Sequence, residues 1–512
     1  MRLIDTLGYK PVELSFGTSG LRGLVTDMTD LECYINMVGF LRFLEQTGEI
    51  QAGSLINLAG DLRVSTPRIM ATVQQAALDG GYEIEYYGLI PTPALALRSL
   101  KQAVPGVMVT GSHIPADRNG IKFYKSAGEV LKPDEAAIKA AVAEVRAEIY
   151  AMTEFKFDSS GMLLNSAAVG EVSDVAATEY LARYVDVFAG TLNNRKIVLY
   201  QHSAVGRDLL VTLFEALGAK VVAVGRSEVF VPIDSENVQA AEQAYFRELA
   251  GKYPDAFAII STDGDSDRPF LIDEAGEFHR GDVLGAVVAT WLAADFAAYP
   301  VSSSAAVDTY LTNQAMSWTH TKIGSPYVIA AMAEAASEGK RLVGWEVNGG
   351  FLTGSEMEVR GHRLAALPTR DAAFPIIVAL VAALEANLAV SQLFDRLPQR
   401  FSGAGLIDNF PTSASKAIMI RLSQDSADVH TELAKYFTTE QGFGKIVSVD
   451  LLDGARIHFD NGDIAHLRAS GNAPQLRIYS DSDTQERADK IVALALAEPN
   501  GILRTMERAF KA

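Results

Sequence analysis

The chain has 512 residues, a length that corresponds to about three or four domains of roughly 150 residues each. Apolar residues make up 48% of it and charged residues 21%, which is typical of a globular protein with a large core and excludes an intrinsically disordered one. The 45 Lys and Arg residues against 63 Asp and Glu residues give a net charge of −18. A general nucleic-acid-binding protein needs a basic face, so no nucleic-acid partner is expected, and an anionic substrate would need a local basic patch.

Cysteine content and hydropathy predict the compartment. Cys33 is the single cysteine, so no internal disulfide can form, which is consistent with a reducing compartment. The opening residues, MRLIDTLGYK, lack the basic and apolar segments of a signal peptide. The longest apolar runs, Val283–Ala294 and Ala372–Leu384, are shorter than the ~20 residues that span a bilayer. We therefore predict that they form buried helices in a cytoplasmic protein with no membrane partner.

Predicted strands and helices alternate through the first half of the chain. In chain order the periodicity predicts a strand at 54–61, a helix at 66–81, strands at 82–88 and 106–112, and a linker or long loop at about 150–174. A second block predicts a strand at 196–200, a helix at 207–219, a strand at 220–225, a helix at 238–253 and a strand at 256–262.

The second half continues this alternation and then changes. The third block predicts a helix at 283–296, a strand at 305–311, a helix at 326–339 and a strand at 341–347. The tail predicts two helices, a pair of strands within 451–470 and a helix at 484–499. The predicted fold class is α/β, with three similar mixed-sheet domains and a smaller C-terminal α+β domain. The predicted boundaries are 1–155, 165–280, 281–398 and 399–512.

The first of four loops that could carry chemistry is TGSHIPADRNGIKFY (110–124). Ser112 follows an apolar strand, and the ends of strands are where α/β sheets build their sites. Ser112 could be a nucleophile or a phosphate carrier, and His113 and Lys122 could handle protons or negative charge. It is not a hydrolase elbow, because the G-x-S-x-G spacing is absent. An ordinary polar turn explains this loop equally well when it is taken alone.

The second loop, STDGDSDRP (261–269), carries three alternating carboxylates directly after an apolar strand. Asp263, Asp265 and Asp267 could turn their oxygens toward one hard cation. An EF-hand is the competing interpretation, with Glu274 at position 12. It fails because Arg268 stands where glycine is required and because strands flank the loop. A Mg²⁺ site at a strand end is the better interpretation, and a solvated acidic turn is the alternative.

The third and fourth loops are weaker signals. In GWEVNGGF (344–351), a carboxylate and an amide at a strand end could bind vicinal sugar hydroxyls, although an ordinary hairpin is the better explanation of this loop alone. In RASGNAPQLRIY (468–479), a turn of small residues lies between two arginines. Backbone N–H groups and guanidinium forks suit a phosphate dianion, and an ordinary turn explains the loop equally well. Together the four loops supply what phosphoryl transfer on a sugar phosphate requires.

These motifs, in this order, resemble those of the α-D-phosphohexomutase superfamily of bacterial phosphomannomutases and phosphoglucomutases. The resemblance covers nearly the whole chain. It includes FGTSGLRG (16–23), GDLRVST (60–66) and PTPAL (91–95) as well as the four loops. It implies four domains around a central cleft, each with one active-site loop. It also implies a phosphoserine that interconverts hexose 1-phosphate and 6-phosphate through a 1,6-bisphosphate, which also acts as activator.

The resemblance also implies roles for individual residues. Ser112 would be the phosphoserine, and Asp263, Asp265 and Asp267 would bind Mg²⁺ with the Ser112 phosphate as a further ligand. Arg22 and Lys122 would serve charge stabilisation and proton transfer. His113 is a further catalytic candidate from its position in the serine loop. The implied substrate-binding residues are Arg268, Glu346, Asn348, Arg468, Ser470, Gly471, Asn472 and Arg477.

The sugar loop departs from the family pattern, which usually reads Gly-Glu-x-Ser-Gly/Ala-His. Asn348 replaces the serine, and Gly350 stands where the histidine is expected. A proton-handling histidine is therefore missing from this loop, and His113 or His362 is the candidate to replace it. The loop also lacks the Gln-Ser-Gly-His form of phosphoglucosamine mutases, which disfavours glucosamine phosphate as the substrate.

The leading hypothesis is therefore a hexose-phosphate mutase with mannose phosphate as its expected substrate and glucose phosphate as a candidate second substrate. The alternatives are a phosphoglucomutase proper, a phosphatase that uses the same serine and metal, and a non-catalytic sugar-phosphate sensor. The predicted partner is the hexose phosphate itself, and the predicted assembly is a monomer or a homodimer.

Overall fold

The computed structural model describes residues 1–17, 20–165, 168–422, 426–470 and 474–510. Within these residues no helix is both long enough and apolar enough to cross a membrane. They form two compact units, one made of 1–296 and 324–393 and the other of 297–323 and the described residues from 394 onward. The division into four domains stays a prediction.

The N-terminal part of the first unit is a mixed sheet with helices. After a short 3₁₀ helix at Leu3–Thr6, its elements in chain order are β1 (Ser15–Phe16), β2 (Leu21–Leu24), α1 (Asp30–Gln46), β3 (Leu55–Gly60), α2 (Thr66–Asp79), β4 (Glu83–Leu89), α3 (Thr92–Gln102), β5 (Gly106–Val109), β6 (Arg118–Lys125), β7 (Gly128–Glu129) and α4 (Lys132–Ala151). The strand order is β1-β2-β6-β5-β3-β4, with β7 beside β6. β3 runs parallel to β4 and β5, so the carboxyl ends of β3 and β5 meet at one edge.

The next part repeats this plan. Its elements are α5 (Val175–Phe188), β8 (Lys196–Tyr200), α6 (Arg207–Ala216), β9 (Lys220–Val224), α7 (Ala240–Lys252), β10 (Ala258–Thr262), β11 (Pro269–Ile272) and β12 (Phe278–His279). The strand order is β12-β11-β10-β8-β9, with β10 parallel to β8 and antiparallel to β11. The predicted metal loop is therefore the hairpin between two adjacent, fully buried strands, β10 and β11.

The following elements run from 281 to 394. They are α8 (Gly281–Trp291), β13 (Phe296–Pro300), α9 (Ala305–Asn313), β14 (Ser317–Thr321), α10 (Ser325–Glu334), β15 (Leu342–Trp345), β16 (Phe351–Thr353), β17 (Met357–Val359), β18 (His362–Leu364), β19 (Leu367–Asp371), α11 (Ala373–Glu385) and α12 (Val390–Phe394). β16 pairs with both β15 and β19, antiparallel in each case. As predicted from their apolar runs, α8 and α11 are largely buried.

The strand predicted at 305–311 is wrong, because this segment forms α9. The Ser304 hydroxyl caps the helix by accepting a hydrogen bond from the Ala306 N–H at 3.3 Å. The buried residues Val307 and Leu311 lie four positions apart, which is helical spacing. The strand of this region is the preceding β13, and the helix predicted at 283–296 ends early, at Trp291.

The C-terminal part belongs to the second unit. Its elements are β20 (Phe401–Ile407), α13 (Thr412–Leu422), α14 (Ser426–Leu433), a 3₁₀ helix at Thr439–Gln441, β21 (Ile446–Asp450), β22 (Ala455–Phe459), β23 (Ile464–Ala469), β24 (Leu476–Ser482), α15 (Gln485–Leu496) and α16 (Ile502–Phe510). The sheet is antiparallel in the order β20-β24-β23-β22-β21. The predicted strand pair corresponds to β22 and β23, and the structure adds three strands to it.

Candidate active site

Ser112 lies in a buried turn after β5 and is directed at the metal loop. Its Oγ donates a hydrogen bond of 2.6 Å to Asp263 Oδ2, although the two residues are 151 positions apart in sequence. Its backbone N–H is held by the Thr110 hydroxyl at 2.8 Å, and it has a φ of +54°. Non-glycine residues in this region are uncommon and cluster at functional sites. The turn is therefore built to present the serine rather than merely to reverse the chain.

Arg63, from the GDLRVST motif, holds this turn in place through its guanidinium. Its guanidinium stacks on the Phe230 ring, with Cζ 3.9 Å from the ring centroid, and its Nε lies 3.3 Å from Asp61. A Cβ added at Gly111 would lie 2.6 Å from Arg63 Cζ, so the turn requires glycine there. The guanidinium donates to four backbone carbonyls of the serine loop, those of Ser112, Ile114, Pro115 and Arg118.

The three aspartates of the metal loop converge on one point. The side chains of Asp263, Asp265 and Asp267 are fully buried, and one carboxylate oxygen of each lies within 4.8 Å of the others. Among the residues that the structure describes, they are the one group of acidic, histidine or cysteine side chains with the geometry of a metal site.

In Asp265 and Asp267, neighbouring cations and hydroxyls of the described residues donate hydrogen bonds to one carboxylate oxygen, Oδ2, and none to the other, Oδ1. Lys122 Nζ donates to Asp265 Oδ2 at 2.6 Å and to Asp267 Oδ2 at 2.7 Å. The Thr92 hydroxyl also donates to Asp265 Oδ2, at 2.6 Å. Within the described part of the chain, the buried Oδ1 atoms of Asp265 and Asp267 accept no hydrogen bond. A buried carboxylate oxygen without a donor is costly, and a hard divalent cation that prefers oxygen ligands fits this set.

The protonation equilibria reflect the same crowding. Burial and the two neighbouring carboxylates raise the pKa of Asp263 well above its usual value. Burial would also raise the pKa of Asp265, but the Lys122 ammonium outweighs burial and lowers it. Burial would lower the pKa of Lys122, and the charges of Asp265 and Asp267 raise it instead. Lys122 alone therefore neutralises only part of the negative charge of the loop.

The predicted sugar loop follows β15 and lies beside the metal loop. Arg370, at the end of β19, donates from Nη1 to Glu346 Oε2 at 2.7 Å and from Nε to Asp267 Oδ2 at 3.1 Å. The Asn348 side chain is buried, and its Oδ1 accepts the Gly350 N–H at 3.0 Å. The structure thus links Glu346 to the metal loop through an arginine that the sequence analysis did not single out, and Asn348 lies two residues further along the same loop.

An acidic segment before α7 faces the same place. Asp234 accepts a hydrogen bond of 3.1 Å from Arg268 Nη1, and Glu236 accepts one of 3.0 Å from Asn348 Nδ2. His113 lies between this segment and the serine, with Nδ1 3.4 Å from Ser112 Oγ and Nε2 3.9 Å from Asp234 Oδ2.

Arg22 and the histidines are the remaining candidate residues of the first unit. Burial and the nearby guanidiniums of Arg268 and Arg370 lower the pKa of Arg22 to about 10, which places Arg22 among these cations. Burial and the same guanidinium of Arg268 hold the pKa of His113 well below its usual value. His362, the other candidate for the missing histidine, is exposed on the β17–β18 hairpin, so His113 is the histidine that the structure brings to Ser112.

The predicted phosphate loop connects β23 and β24 in the second unit. Arg468 and Arg477 are directly opposite in the antiparallel register, so their side chains share one face. Arg468 Nε donates to Asp453 Oδ2 at 3.0 Å. In the described residues, the buried Arg477 Nε has no hydrogen-bond partner, and the Ser470 N–H is bonded to the Gln475 carbonyl. The predicted residues Gly471 and Asn472 lie outside the described residues.

Several residues of the site were missed by the sequence analysis. For Arg370, the sequence offers one local signal, an Arg-Asp pair directly before a long apolar helix. The roles of Asp61, Arg63 and Thr92 were not predicted, although their motifs were noted, and Asp234 and Glu236 gave no signal.

Comparison with known proteins identifies the family. Three profiles match: "Phosphoglucomutase/phosphomannomutase, alpha/beta/alpha domain I" at 13–148, its "alpha/beta/alpha domain III" at 280–401, and its "C-terminal domain" at 420–497. A phosphomannomutase of Salmonella muenchen is 40% identical over 487 residues, which are 94% of this chain and 95% of the relative. The chain belongs to the phosphoglucomutase/phosphomannomutase family.

A second relative and a solved structure agree with the family assignment. A phosphomannomutase of Sinorhizobium fredii is 40% identical over 490 residues, which are 95% of this chain and 98% of the relative. The crystal structure of a phosphoglucomutase/phosphomannomutase family protein from Burkholderia thailandensis shares the fold, with a TM-score of 0.69, 18% identity and coverage of 96% and 97% of the two chains. The predicted superfamily, fold class and mutase activity are confirmed, and the phosphatase and sensor alternatives are not favoured.

Proposed function

We propose that this phosphoglucomutase/phosphomannomutase family member interconverts mannose 1-phosphate and mannose 6-phosphate through a phosphoserine at Ser112. The observation that carries the proposal is the hydrogen bond of 2.6 Å from Ser112 Oγ to Asp263, within a triad of buried aspartates. A serine aimed into a candidate metal site suits phosphoryl transfer, in which catalysis is mostly positioning and charge stabilisation.

The reaction consists of two transfers that balance. In the first, the 6-hydroxyl oxygen of the hexose 1-phosphate attacks the phosphorus of phospho-Ser112. The bond between phosphorus and Ser112 Oγ breaks, its electron pair stays on Oγ, and Oγ takes up the proton that the 6-hydroxyl loses. After the 1,6-bisphosphate has reversed its orientation, Ser112 Oγ attacks the phosphorus of the 1-phosphate. The bond between that phosphorus and the C1 oxygen breaks, and the C1 oxygen takes up the proton that Ser112 loses. A hexose 1,6-bisphosphate would phosphorylate resting Ser112 and so act as activator.

Mg²⁺ would be held by Asp263, Asp265 and Asp267, and when bound it would supply charge stabilisation for the transferring phosphoryl group. The buried Oδ1 atoms of Asp265 and Asp267 support this assignment. Lys122, whose Nζ is 2.6–2.7 Å from both carboxylates, would keep them in place and add positive charge.

Protons would move at the serine itself. His113 Nδ1 lies 3.4 Å from Ser112 Oγ, so His113 is the side chain we assign to hold the proton that Ser112 gains or loses. Arg22 would add positive charge beside the phosphoryl group. The role of His113 was predicted from its loop and that of Arg22 from the resemblance, and their proximity to the other site residues supports both.

The remaining predicted residues would bind the substrate. Glu346 and Asn348 would bind sugar hydroxyls, and Arg268 would contact the sugar or its phosphate. The phosphate that does not react would be clamped by Arg468, Arg477 and the Ser470 turn. Two observations support this clamp: the two arginines share one face of the sheet, and the buried Arg477 Nε has no hydrogen-bond partner among the described residues, whereas Arg468 is paired with Asp453.

The experiment is ³¹P NMR of the purified protein with Mg²⁺ and a trace of hexose 1,6-bisphosphate. Mannose 1-phosphate and glucose 1-phosphate are supplied in parallel. We expect a 6-phosphate signal to grow from mannose 1-phosphate, because the two relatives that are 40% identical are phosphomannomutases. Faster turnover of glucose 1-phosphate would support the phosphoglucomutase alternative, inorganic phosphate would support a phosphatase, and no turnover of either sugar would contradict the proposal.

A further inference from the structure

The side chain of Arg370 fills the space above Gly350. A Cβ added at Gly350 would lie 2.6 Å from Arg370 Cδ and Cγ and 2.8 Å from its Cβ, closer than real Cβ contacts. Gly349 has a φ of +87°, whereas Gly350 is outside the left-handed region. The glycine at 350 is therefore explained by the neighbouring arginine and not by its backbone conformation. The histidine expected there from the family pattern would compete with Arg370 for the same volume.

Arg370 connects two loops of the site. Its side chain is almost fully buried, and its guanidinium contacts Asp267 of the metal loop through Nε at 3.1 Å and Nη2 at 3.0 Å. Through Nη1 it holds Glu346 of the sugar loop at 2.7 Å. A planar guanidinium presents its donors in fixed directions from three nitrogen atoms, so Arg370 can reach two carboxylates on different sides of it, whereas a lysine ammonium donates from a single nitrogen.

The backbone on both sides of Arg370 is fixed. The Asp371 carboxylate accepts hydrogen bonds from the hydroxyls of Tyr180 and Tyr184 and from the Ala373 N–H at the start of α11. The Thr369 hydroxyl donates to Glu129 at 2.6 Å. Arg370 therefore projects from a rigid strand end, as a residue that orients others requires.

The contacts of Arg370 determine which oxygen of Asp267 remains available. Arg370 and Lys122 both donate to Oδ2, while the buried Oδ1 accepts no hydrogen bond in the described part of the chain. Residues behind a metal ligand orient it in this way, and their loss weakens metal binding.

We propose that Arg370 is a positioning residue that couples the metal loop to the sugar loop. It orients Asp267 for a divalent cation and Glu346 for the sugar, in the space that a side chain at 350 would take. The inference deepens the proposed function and rests on it for the identity of the sugar. Its metal-binding part can be measured without turnover.

The first test is an equilibrium titration of chelator-treated protein with Mn²⁺ alone, followed by electron paramagnetic resonance. We expect Arg370→Met to weaken Mn²⁺ binding about 10- to 100-fold. The matched control is Arg363→Met on the exposed face of β18, where we expect no change. We also expect Arg370→Met to raise the KM for the sugar phosphate, because Glu346 loses its partner. Arg370→Lys keeps a charge near Asp267 but cannot also reach Glu346, so we expect it to restore much of the Mn²⁺ affinity while the KM remains as high as in Arg370→Met.

The second test is a double-mutant cycle with Gly350→Ala. The added methyl group would displace Arg370, so this variant alone should weaken Mn²⁺ binding, whereas adding it to Arg370→Met should cause little further loss. Additive losses, or unchanged Mn²⁺ affinity in Arg370→Met, would overturn the proposal. If Arg370→Met does not fold, the Arg370→Lys and Gly350→Ala variants decide it by the same measurement.

Failure of the proposal can be distinguished from failure of the proposed function. If the wild-type protein turns over mannose 1-phosphate and binds Mn²⁺ but the Arg370 variants match it, only the role of Arg370 is wrong. If the wild-type protein binds no Mn²⁺, the metal assignment is wrong and the role of Arg370 at Asp267 is wrong with it.

Discussion

The reacting groups of this protein are held by side chains that do not themselves react. Ser112 is fixed by Thr110 and by the guanidinium of Arg63, and its hydroxyl is bonded to Asp263. Lys122 likewise holds the metal loop, because its ammonium donates hydrogen bonds to Asp265 and Asp267. Positioning of this kind reduces the reorganisation needed during the reaction, so changes at single residues should affect catalysis far more than stability.

The first test at the level of a residue is Ser112→Ala. We expect mutase activity to fall by more than about a thousand-fold, because removing the nucleophile removes the covalent step. The thermal midpoint should change little, since only one hydroxyl is lost from the turn. Activity is measured by ³¹P NMR and unfolding by circular dichroism, with Ser337→Ala, on an exposed loop, as the control. Full activity in Ser112→Ala would contradict the phosphoserine assignment.

Pairs of elements bring together groups that no single segment contains. The ends of β5 and β10 place the serine beside the aspartates, and the register of β23 and β24 puts Arg468 opposite Arg477. For β23 and β24 the backbone pairing determines which side chains face each other, since side chains at paired positions of a sheet share a face. β5 and β10 belong to different sheets, and it is the meeting of their ends that joins Ser112 to Asp263. Function at this level therefore depends on strand register in one case and on which strand ends meet in the other.

Arg477→Gln tests the clamp between β23 and β24. We expect the KM for the sugar phosphate to rise about 10- to 100-fold, since hydrogen bonds to charged groups contribute about 1.5–3 kcal/mol. Steady-state kinetics provide the measurement. Arg421→Gln, an exposed arginine of α13, is the control and should leave the KM unchanged. An unchanged KM in Arg477→Gln would remove the arginine from the clamp.

His202 connects the end of β8 to β10 and makes stability depend on pH. Its Nε2 lies 2.7 Å from the Thr262 carbonyl oxygen, and burial lowers its pKa to about 4. The ordinary pKa of histidine is about 6.5, so the folded state disfavours protonation of His202. The contribution of neutral His202 to the free energy of unfolding is fully present above about pH 6.5, and it is lost as the pH falls toward about 4. The loss from this group is on the order of 3 kcal/mol.

The measurement is the thermal midpoint as a function of pH for the wild-type protein and for His202→Gln, whose amide can donate the same hydrogen bond. We expect the decline between pH 6.5 and 4 to be shallower in the variant, because glutamine does not titrate. The control is His362→Gln, on the exposed β18. Identical pH profiles for the wild-type protein and His202→Gln would show that His202 is not responsible.

The molecule as a whole carries a net charge of −18, yet the candidate site gathers cations. Lys122, Arg268 and Arg370 are buried beside the aspartates, and Arg22 is within their electrostatic reach. Screening limits charge interactions to roughly 8 Å at physiological salt. The charges of this local group, and not the net charge of the chain, therefore determine whether the site attracts an anion. Cations therefore lie where an anionic substrate would need them, although carboxylates pair with Lys122, Arg268 and Arg370.

Divalent metal should stabilise the folded protein through the triad. A ligand that binds only the folded state at 100 times its Kd adds about 2.7 kcal/mol, so Mg²⁺ should raise the thermal midpoint of the wild-type protein and chelation should reverse the rise. In Asp265→Asn we expect the Mg²⁺ effect to be lost, with Asp255→Asn on the exposed surface as control. Differential scanning calorimetry measures both, and an equal Mg²⁺ effect in Asp265→Asn would exclude the triad as the metal site.

The sequence alone was sufficient for the family, for the alternation of strands and helices and for the loops whose residues are contiguous, such as the serine turn and the three aspartates. Motif chemistry and hydrophobic periodicity are local, so they can be read without the fold. The strand predicted at 305–311 failed because Val, Thr and Tyr favour strands, whereas the Ser304 cap and the packing of Val307 and Leu311 favour a helix.

Only the tertiary structure revealed the contacts between distant segments. Arg370 lies 103 residues from Asp267, and Ser112 lies 151 residues from Asp263. Nothing in the local sequence specifies such pairs, because they depend on which strand ends meet when the sheets pack. For the same reason the sequence alone offered no explanation for the glycine that stands at position 350 in place of the expected histidine. In the structure, the glycine at 350 leaves room for Arg370.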